Sequence, residues 1–220
     1  MFRPKSIGAR GVWAVVPEAW SQARDLLAAE GAVFGKLLSG NPIGCINPRG
    51  LAAGGVTVVL DVTACGVTGS EALRHGATLT YVAREGHVLV ASARGREHAA
   101  ERLLWEQSDE PLLDDLLAQE LEDHVRWSRA SDVAHVVASY LSCHPAVCEV
   151  RYPGLAGDPS NQPAADILRD GFGPWLDWCD AGGTWHRVTC LATDDAHAKV
   201  LELEGTIRRS LCSRTIVVRR

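Results

Sequence analysis

The run "VTVVLDVTACG", residues 56 to 66, carries a β-branched stretch up to Asp61, with Thr63 and Cys65 just beyond it. A carboxylate at the carboxyl end of a buried strand is where α/β proteins place ligand sites. A turn or helix-cap acceptor accounts for the same aspartate. Cys65, with His75 and His87, would supply a thiol and bases for nucleophilic chemistry at Asp61, and a buried thiol with surface histidines is the plainer account. Cys143, His144 and Cys148 lie close enough to suggest a metal, but no second ligand pair at zinc-like spacing accompanies them. Packed thiols at a helix end fit equally, and no metal is expected.

Amine chemistry has few candidates. Of the 22 basic residues only Lys5, Lys36 and Lys199 are lysines. Lys36, in "GAVFGKLLSG", fails the spacing of a phosphate-binding loop and reads as a solvated lysine at a helix end.

These residues need elements to hold them. "GVWAVV" (11 to 16) reads as a short buried strand, and "PEAWSQARDLLAAEG" as a helix with Pro17 in its first turn and Gly31 as its stop. Residues 39 to 55, with five glycines and two prolines, read as loop. The near-continuous apolar run up to Asp61 has the pattern of a parallel strand buried on both faces. "GSEALRHGA" reads as a short helix, "TLTYVA" and "HVLVASA" as strands. Residues 95 to 142 turn helical, with apolar residues at 3 and 4 spacing, and end at His144–Pro145, since a residue before proline avoids the α region. "VCEVRY" reads as a strand, and the tail as strand "HRVTCLAT", helix "DDAHAKVLELEGTIRRSL" and strand "RTIVVRR".

Composition bounds the function. A net charge of −5 supplies no general footprint for nucleic acid, and the arginines near the C-terminus read as a solvated or partner-facing tail. No stretch reaches the roughly 18 apolar residues of a membrane span, and Pro17 and Glu18 stop the first apolar run too early for a signal peptide. Seven scattered cysteines without a CxxC motif suggest reduced thiols and a cytoplasmic location.

The stretch "HPAVCEVRYPGLAGDPSNQPAADILRDGFG", residues 144 to 173, resembles a segment of the Cys/Met-metabolism family of pyridoxal-phosphate enzymes, which includes cystathionine γ-synthase, cystathionine γ-lyase and methionine γ-lyase. There a long helix ends at His-Pro, a strand follows, then Tyr-Pro-Gly-Leu, a proline loop, an Ala-rich helix and Gly-Phe-Gly. His144, Pro145, Tyr152, Pro153, Gly154, Leu155, Pro159, Ala165, Gly171, Phe172 and Gly173 fall in that order. "AERLLWEQ" and "VRWSRASDVAHVVASYL", the latter through Arg126 and Arg129, are similar to two upstream helices, and the Asp61 strand to the family's Val-Val-Val-Asp-Asn-Thr. The resemblance covers roughly residues 56 to 180.

It implies an α/β fold: part of the large domain of the aspartate aminotransferase-like, fold type I transferases over residues 1–150, with a linker and a shortened α+β C-terminal domain over 151–220. It also implies that Asp61 would pair with the cofactor's ring nitrogen, with Thr63 beside it. Trp20 would stand near a ring-stacking tyrosine. The family's Schiff-base lysine, however, would fall in "VAREGH", where Arg84, Glu85 and Gly86 precede His87. Arginine cannot replace it, because a guanidinium stays protonated. The segments that supply the family's phosphate site and carboxylate-binding arginine are also unmatched.

No bound pyridoxal phosphate and no catalytic residue are therefore expected of this chain alone, with Asp61 and Thr63 vestigial. The implied role is a non-catalytic or accessory subunit in sulfur amino acid or specialised metabolism, pairing with a full-length homologue or with itself. Trp105, Trp127, Trp175, Trp178 and Trp185 would suit interface anchors, and core packing explains them equally. The alternative is a γ-elimination or γ-replacement enzyme on cystathionine or O-acylhomoserine-like substrates, its site completed by another chain with pyridoxal phosphate.

Overall fold

A computed structural model describes residues 8–217 apart from Glu97, and side chains as far as Arg208. Strand β1 (Gly11–Val15) leads into helix α1 (Pro17–Ala29). Then come strand β2 (Val33–Lys36), the short strands β3 (Leu38–Ser39) and β4 (Gly44–Cys45), the single-turn helix α2 (Pro48–Leu51) and strand β5 (Val58–Asp61). A 3₁₀ turn at Ala72–His75 precedes the hairpin of β6 (Leu79–Arg84) and β7 (His87–Ser92), whose tight turn uses Gly86 at φ 75°. Helices α3 (Ala99–Glu106) and α4 (Glu110–Ser142) follow, then β8 (Val147–Arg151), α5 (Asn161–Ile167), β9 (Trp175–Asp180), β10 (Trp185–Thr189) and α6 (Ala196–Val217).

The first five-stranded sheet has the order β1-β7-β6-β5-β2, with β2, β5 and β6 parallel and β7 antiparallel to both its neighbours. Alternate side chains of its strands enter two cores. One holds Trp13, Val59, Leu79 and Val90 against α1 and α3, and the other Val58, Leu60, Val82 and Leu89 against the first half of α4. Burial on both faces is what the unbroken apolar run before Asp61 requires. A three-stranded antiparallel sheet, β10-β9-β8, packs with α6 on the second half of α4. The 33-residue α4, about 50 Å long, thus spans both units. Asp109 caps it by accepting from Leu112 N at 3.0 Å, and it ends at Ser142, two residues before His144–Pro145.

Three expectations need correction, and one strand carried no expectation. Residues 39 to 55 are not all loop: β3, β4 and α2 lie there or at their margin. The loop is pinned from outside, by Ile43 N donating to Asp177. Lys36 ends strand β2 and no helix, since its four-residue strand pairs with β5 through the backbone. "WLDWCD", unassigned in the sequence, is the central strand β9, its two aspartates buried and paired. The expected final strand is not formed at 214–217, where α6 continues. No proline interrupts it, and each added helical residue gains a hydrogen bond once a helix is under way. Residues 218–220 lie outside the described residues.

The "YPGL…GFG" stretch is organised around two side chains. Asp158, buried, accepts from Tyr152 N at 2.9 Å and from Ser160 N at 2.8 Å, which folds the proline loop back on itself. Ser131 on α4 accepts from Gly173 N at 3.0 Å, and its carbonyl accepts from the Tyr152 hydroxyl at 3.0 Å. Gly171 lies between them at φ 145°, where a Cβ would come within 2.5 Å of Ser131. Gly171→Ala is therefore expected to cost about 2–3 kcal/mol, from backbone strain and overpacking together. Urea denaturation checks it; a loss under half a kilocalorie would show that the turn relaxes freely.

Candidate functional site

Strands β2 and β5 are parallel neighbours in which Lys36 and Asp61 are register partners, so both side chains leave the sheet at its carboxyl edge. There they line a cavity of about 920 Å³. One wall is Asp123, Trp127 and Ala130 of α4; the opposite wall comes from the second sheet and the residues flanking it, with Trp175, Arg187, Thr189 and Cys190. Leu38 and Ile43 add apolar surface.

The groups within it are already engaged. Asp61 accepts from Thr63 N at 2.9 Å and lies 4.0 Å from the Lys36 ammonium, which is 70% exposed. The Thr63 hydroxyl accepts from Ala83 N at 3.0 Å, tying the ends of β5 and β6 together. Arg187 grips Asp177 with two bonds, at 2.8 and 2.7 Å, and donates to the Gly40 carbonyl at 2.5 Å. Asp177 also accepts from Ile43 N at 2.5 Å. This cluster fastens the second sheet to the loop after β3. Arg126 pairs with Asp123 at 3.2 Å along its own helix. Burial pushes the Cys190 thiol up to about 11, so it is a poor nucleophile at neutral pH.

Arg84 ends β6, and Glu85 and Gly86 form the hairpin turn beyond it. Its guanidinium turns back onto α4, where it hydrogen-bonds Glu120 and lies 2.7 Å from Asp123. Glu120 is 1% exposed. Its other oxygen accepts from Val67 N at 2.7 Å, and a Cβ at Gly66 would collide with it. Arg84 thereby locks the hairpin, α4 and the segment after Asp61 together.

The remaining candidates do not converge. Of Cys65, His75, His87 and Asp61, only Asp61 lines the cavity. Cys65 is buried, its pKa pushed far above the thiol range first by desolvation and then by Cys45 and Glu120, which leaves it unreactive. Trp20 is buried with its ring 4.7 Å from that of Tyr81, and it does not line the cavity. Trp127 and Trp178 are core residues, whereas Trp105 is half exposed beneath Arg96. Cys143 and Cys148 are exposed, and His144 pairs with Glu204 at 3.0 Å. Among the described residues no group of three His, Cys, Asp or Glu is placed to hold a metal.

No family model and no curated protein sequence matches the chain. Solved structures do. An O-acetylhomoserine sulfhydrylase of Wolinella succinogenes superposes with TM-score 0.58 and 18% identity, over 81% of this chain and 77% of that one. A putative O-acetylhomoserine (thiol)-lyase of Campylobacter jejuni, carrying a pyridoxyl-lysine phosphate, gives 0.63 and 15% over 84% and 68%. Cystathionine γ-synthase of Xanthomonas oryzae gives 0.54 and 22%, over 76% of this chain but only 47% of the enzyme. The chain has their fold. It is the fold type I architecture of pyridoxal-phosphate enzymes, present in part.

That fold raises the question of the cofactor, and the groups around Asp61 do not compose a site for it. Asp61 is a carboxylate that a ring nitrogen would need, but the amine nearest it, Lys36, is an exposed ion-pair partner of the same carboxylate. Arg84, where the Schiff-base lysine would fall, is committed to Glu120 and Asp123. Of the arginines lining the cavity, Arg187 is committed to Asp177, and Arg126, largely exposed, shares Asp123 with Arg84. Among the described lining residues, a phosphate dianion would meet only cations already paired with carboxylates, Lys36 and Arg126 exposed and Arg187 held by Asp177.

Lys36, Glu120 and Asp177 are the site residues whose roles the sequence did not reveal. One signal was available: Glu120 follows Leu116 by four and precedes Trp127 by seven, which puts a carboxylate on the buried stripe of α4.

Proposed function

We propose that the chain is a degenerate, shortened relative of the cystathionine γ-synthase and γ-lyase enzymes that has lost catalysis and acts as an accessory subunit, paired with a full-length homologue in sulfur amino acid or specialised metabolism. The observation that carries the proposal is the fate of Arg84: the position expected to offer an amine holds a guanidinium built into a structural ion pair with the buried Glu120. The fold likeness to O-acetylhomoserine and cystathionine enzymes supports the descent. Six unpaired thiols among the described residues suit a reducing, cytoplasmic setting. No helix among the described residues is long and apolar enough to cross a membrane.

A second reading is kept alive by Asp61 and Lys36 facing one cavity: a pyridoxal-phosphate lyase or transferase on cystathionine or O-acylhomoserine-like substrates, its missing groups supplied by another chain. One experiment separates the two. The chain, purified alone and with a co-expressed full-length homologue, is incubated with pyridoxal phosphate, reduced with borohydride and mapped by peptide mass. The expected result is no near-visible aldimine band and no pyridoxyl group at Lys36 or elsewhere on this polypeptide. A stoichiometric label on it would overturn the accessory role in favour of the completed enzyme.

A further inference from the structure

Helix α4 buries one side in the two cores and turns a second, mixed side outward. Leu121, Val125 and Val136 are 46%, 51% and 50% exposed. Between them lie Arg129 and Asp132, both exposed, and neither has an ion-pair partner among the described residues. Tyr140, half-buried with its hydroxyl donating to Glu204 of α6, ends the row. At about 100° of turn per residue, these six positions fall within a stripe about 100° wide and about 28 Å long. Its centre lies roughly 140° around the helix from the wall that lines the cavity.

The order along that stripe is its own complement. Leu121, Val125, Arg129, Asp132, Val136 and Tyr140 are spaced four, four, three, four and four. Reversed about the midpoint between Ala130 and Ser131, Val125 meets Val136 and Arg129 meets Asp132 with opposite charge, while Leu121 and Tyr140 flank them at the two edges of the stripe. We propose that this face is an antiparallel, two-fold interface with a second copy of the same chain, in which the Arg129 of each copy pairs with the other's Asp132. A two-fold contact requires that residue i meet j while j meets i, and the stripe satisfies this for both pairs. A foreign partner would place no such demand on it. Spacings of three and four are those of helices packing at a shallow angle.

A helix pair of this length is a small interface, so a micromolar Kd is expected rather than a nanomolar one. The proposal is independent of whether the cavity is catalytic. The test is sedimentation equilibrium of the full chain and its variants, with circular dichroism to show that each is folded. Wild type is expected to be a monomer–dimer mixture. Arg129→Asp puts two aspartates opposite each other in both pairs, and Asp132→Arg does the same with arginines. Each single reversal is expected to raise Kd at least about tenfold. The combined Arg129→Asp/Asp132→Arg chain restores both pairs and recovers most of the affinity. A monomeric wild type at tens of micromolar, single reversals that leave Kd unchanged, or a double variant no better than the singles would each overturn the proposal. So would a complex with a full-length homologue that the single reversals dissociate while the homodimer persists.

Discussion

Arg84→Ala is expected to lower the stability of the chain by about 3 kcal/mol, the low end of the cost of stripping one partner from a buried ion pair. The reason lies in what remains. Glu120 is 1% exposed, and without the guanidinium one of its oxygens would keep a charge in the core with only Val67 N on the other oxygen. Arg84 itself is 30% exposed, so water can follow it out, which is why the upper end of the range is not expected. For a chain of this length the loss corresponds to a fall in Tm of roughly 6–12 °C. Glu120→Gln in the same background should return part of the loss, because it removes the stranded charge and keeps the shape. Thermal and urea unfolding of the two singles and the double complete the cycle. If Arg84→Ala melts within a degree of wild type, Arg84 is a surface arginine and its structural role beside Glu120 fails.

That ion pair also shows where sequence reasoning stops. The absence of a lysine in "VAREGH" is visible without any structure, since only three lysines exist to be placed. What Arg84 does there is not, because its partner lies 36 residues downstream in a helix rich in acidic residues. The strands around Asp61 were legible for the opposite reason. Burial on both faces leaves an uninterrupted apolar run, and a tight Gly86 turn separates β6 from β7. Strand β2 left no such mark: four residues at a sheet edge are held by backbone pairing to β5, and backbone pairing has no residue code. Strand β9 was hidden by Asp177 and Asp180, which read as turn residues until Arg187 and His186 on β10 are seen beside them as partners. The long helix was legible because its period is local, and its stop because His144–Pro145 is local too. Whatever depended on a partner far along the chain was not.

Asp177→Ala is expected to be the most damaging single change, at about 4 kcal/mol. Asp177 is wholly buried and receives three donors, two from Arg187 and one from Ile43 N. Truncation would leave the Ile43 amide without an acceptor in a buried segment, a cost of about 1–3 kcal/mol by itself. It would also leave Arg187, 39% exposed, holding only the Gly40 carbonyl, and a void where the carboxylate stood. Because Arg187 can reach water, its stranded charge adds less than a fully buried one would. Asp177→Asn keeps the volume and one acceptor oxygen, so about half the loss is expected. The position matters beyond stability, since Asp177 fastens the second sheet to the loop that carries Ile43, and both line the cavity beside Asp61. Amide exchange should therefore accelerate at residues 40–45 in both variants while the β6–β7 hairpin, held by Arg84 and Glu120, keeps its protection. Uniform acceleration across both sheets would mean that Asp177 serves global stability alone. Unchanged exchange at 40–45, with a loss under 1 kcal/mol, would mean that the cavity wall is held by something other than this carboxylate.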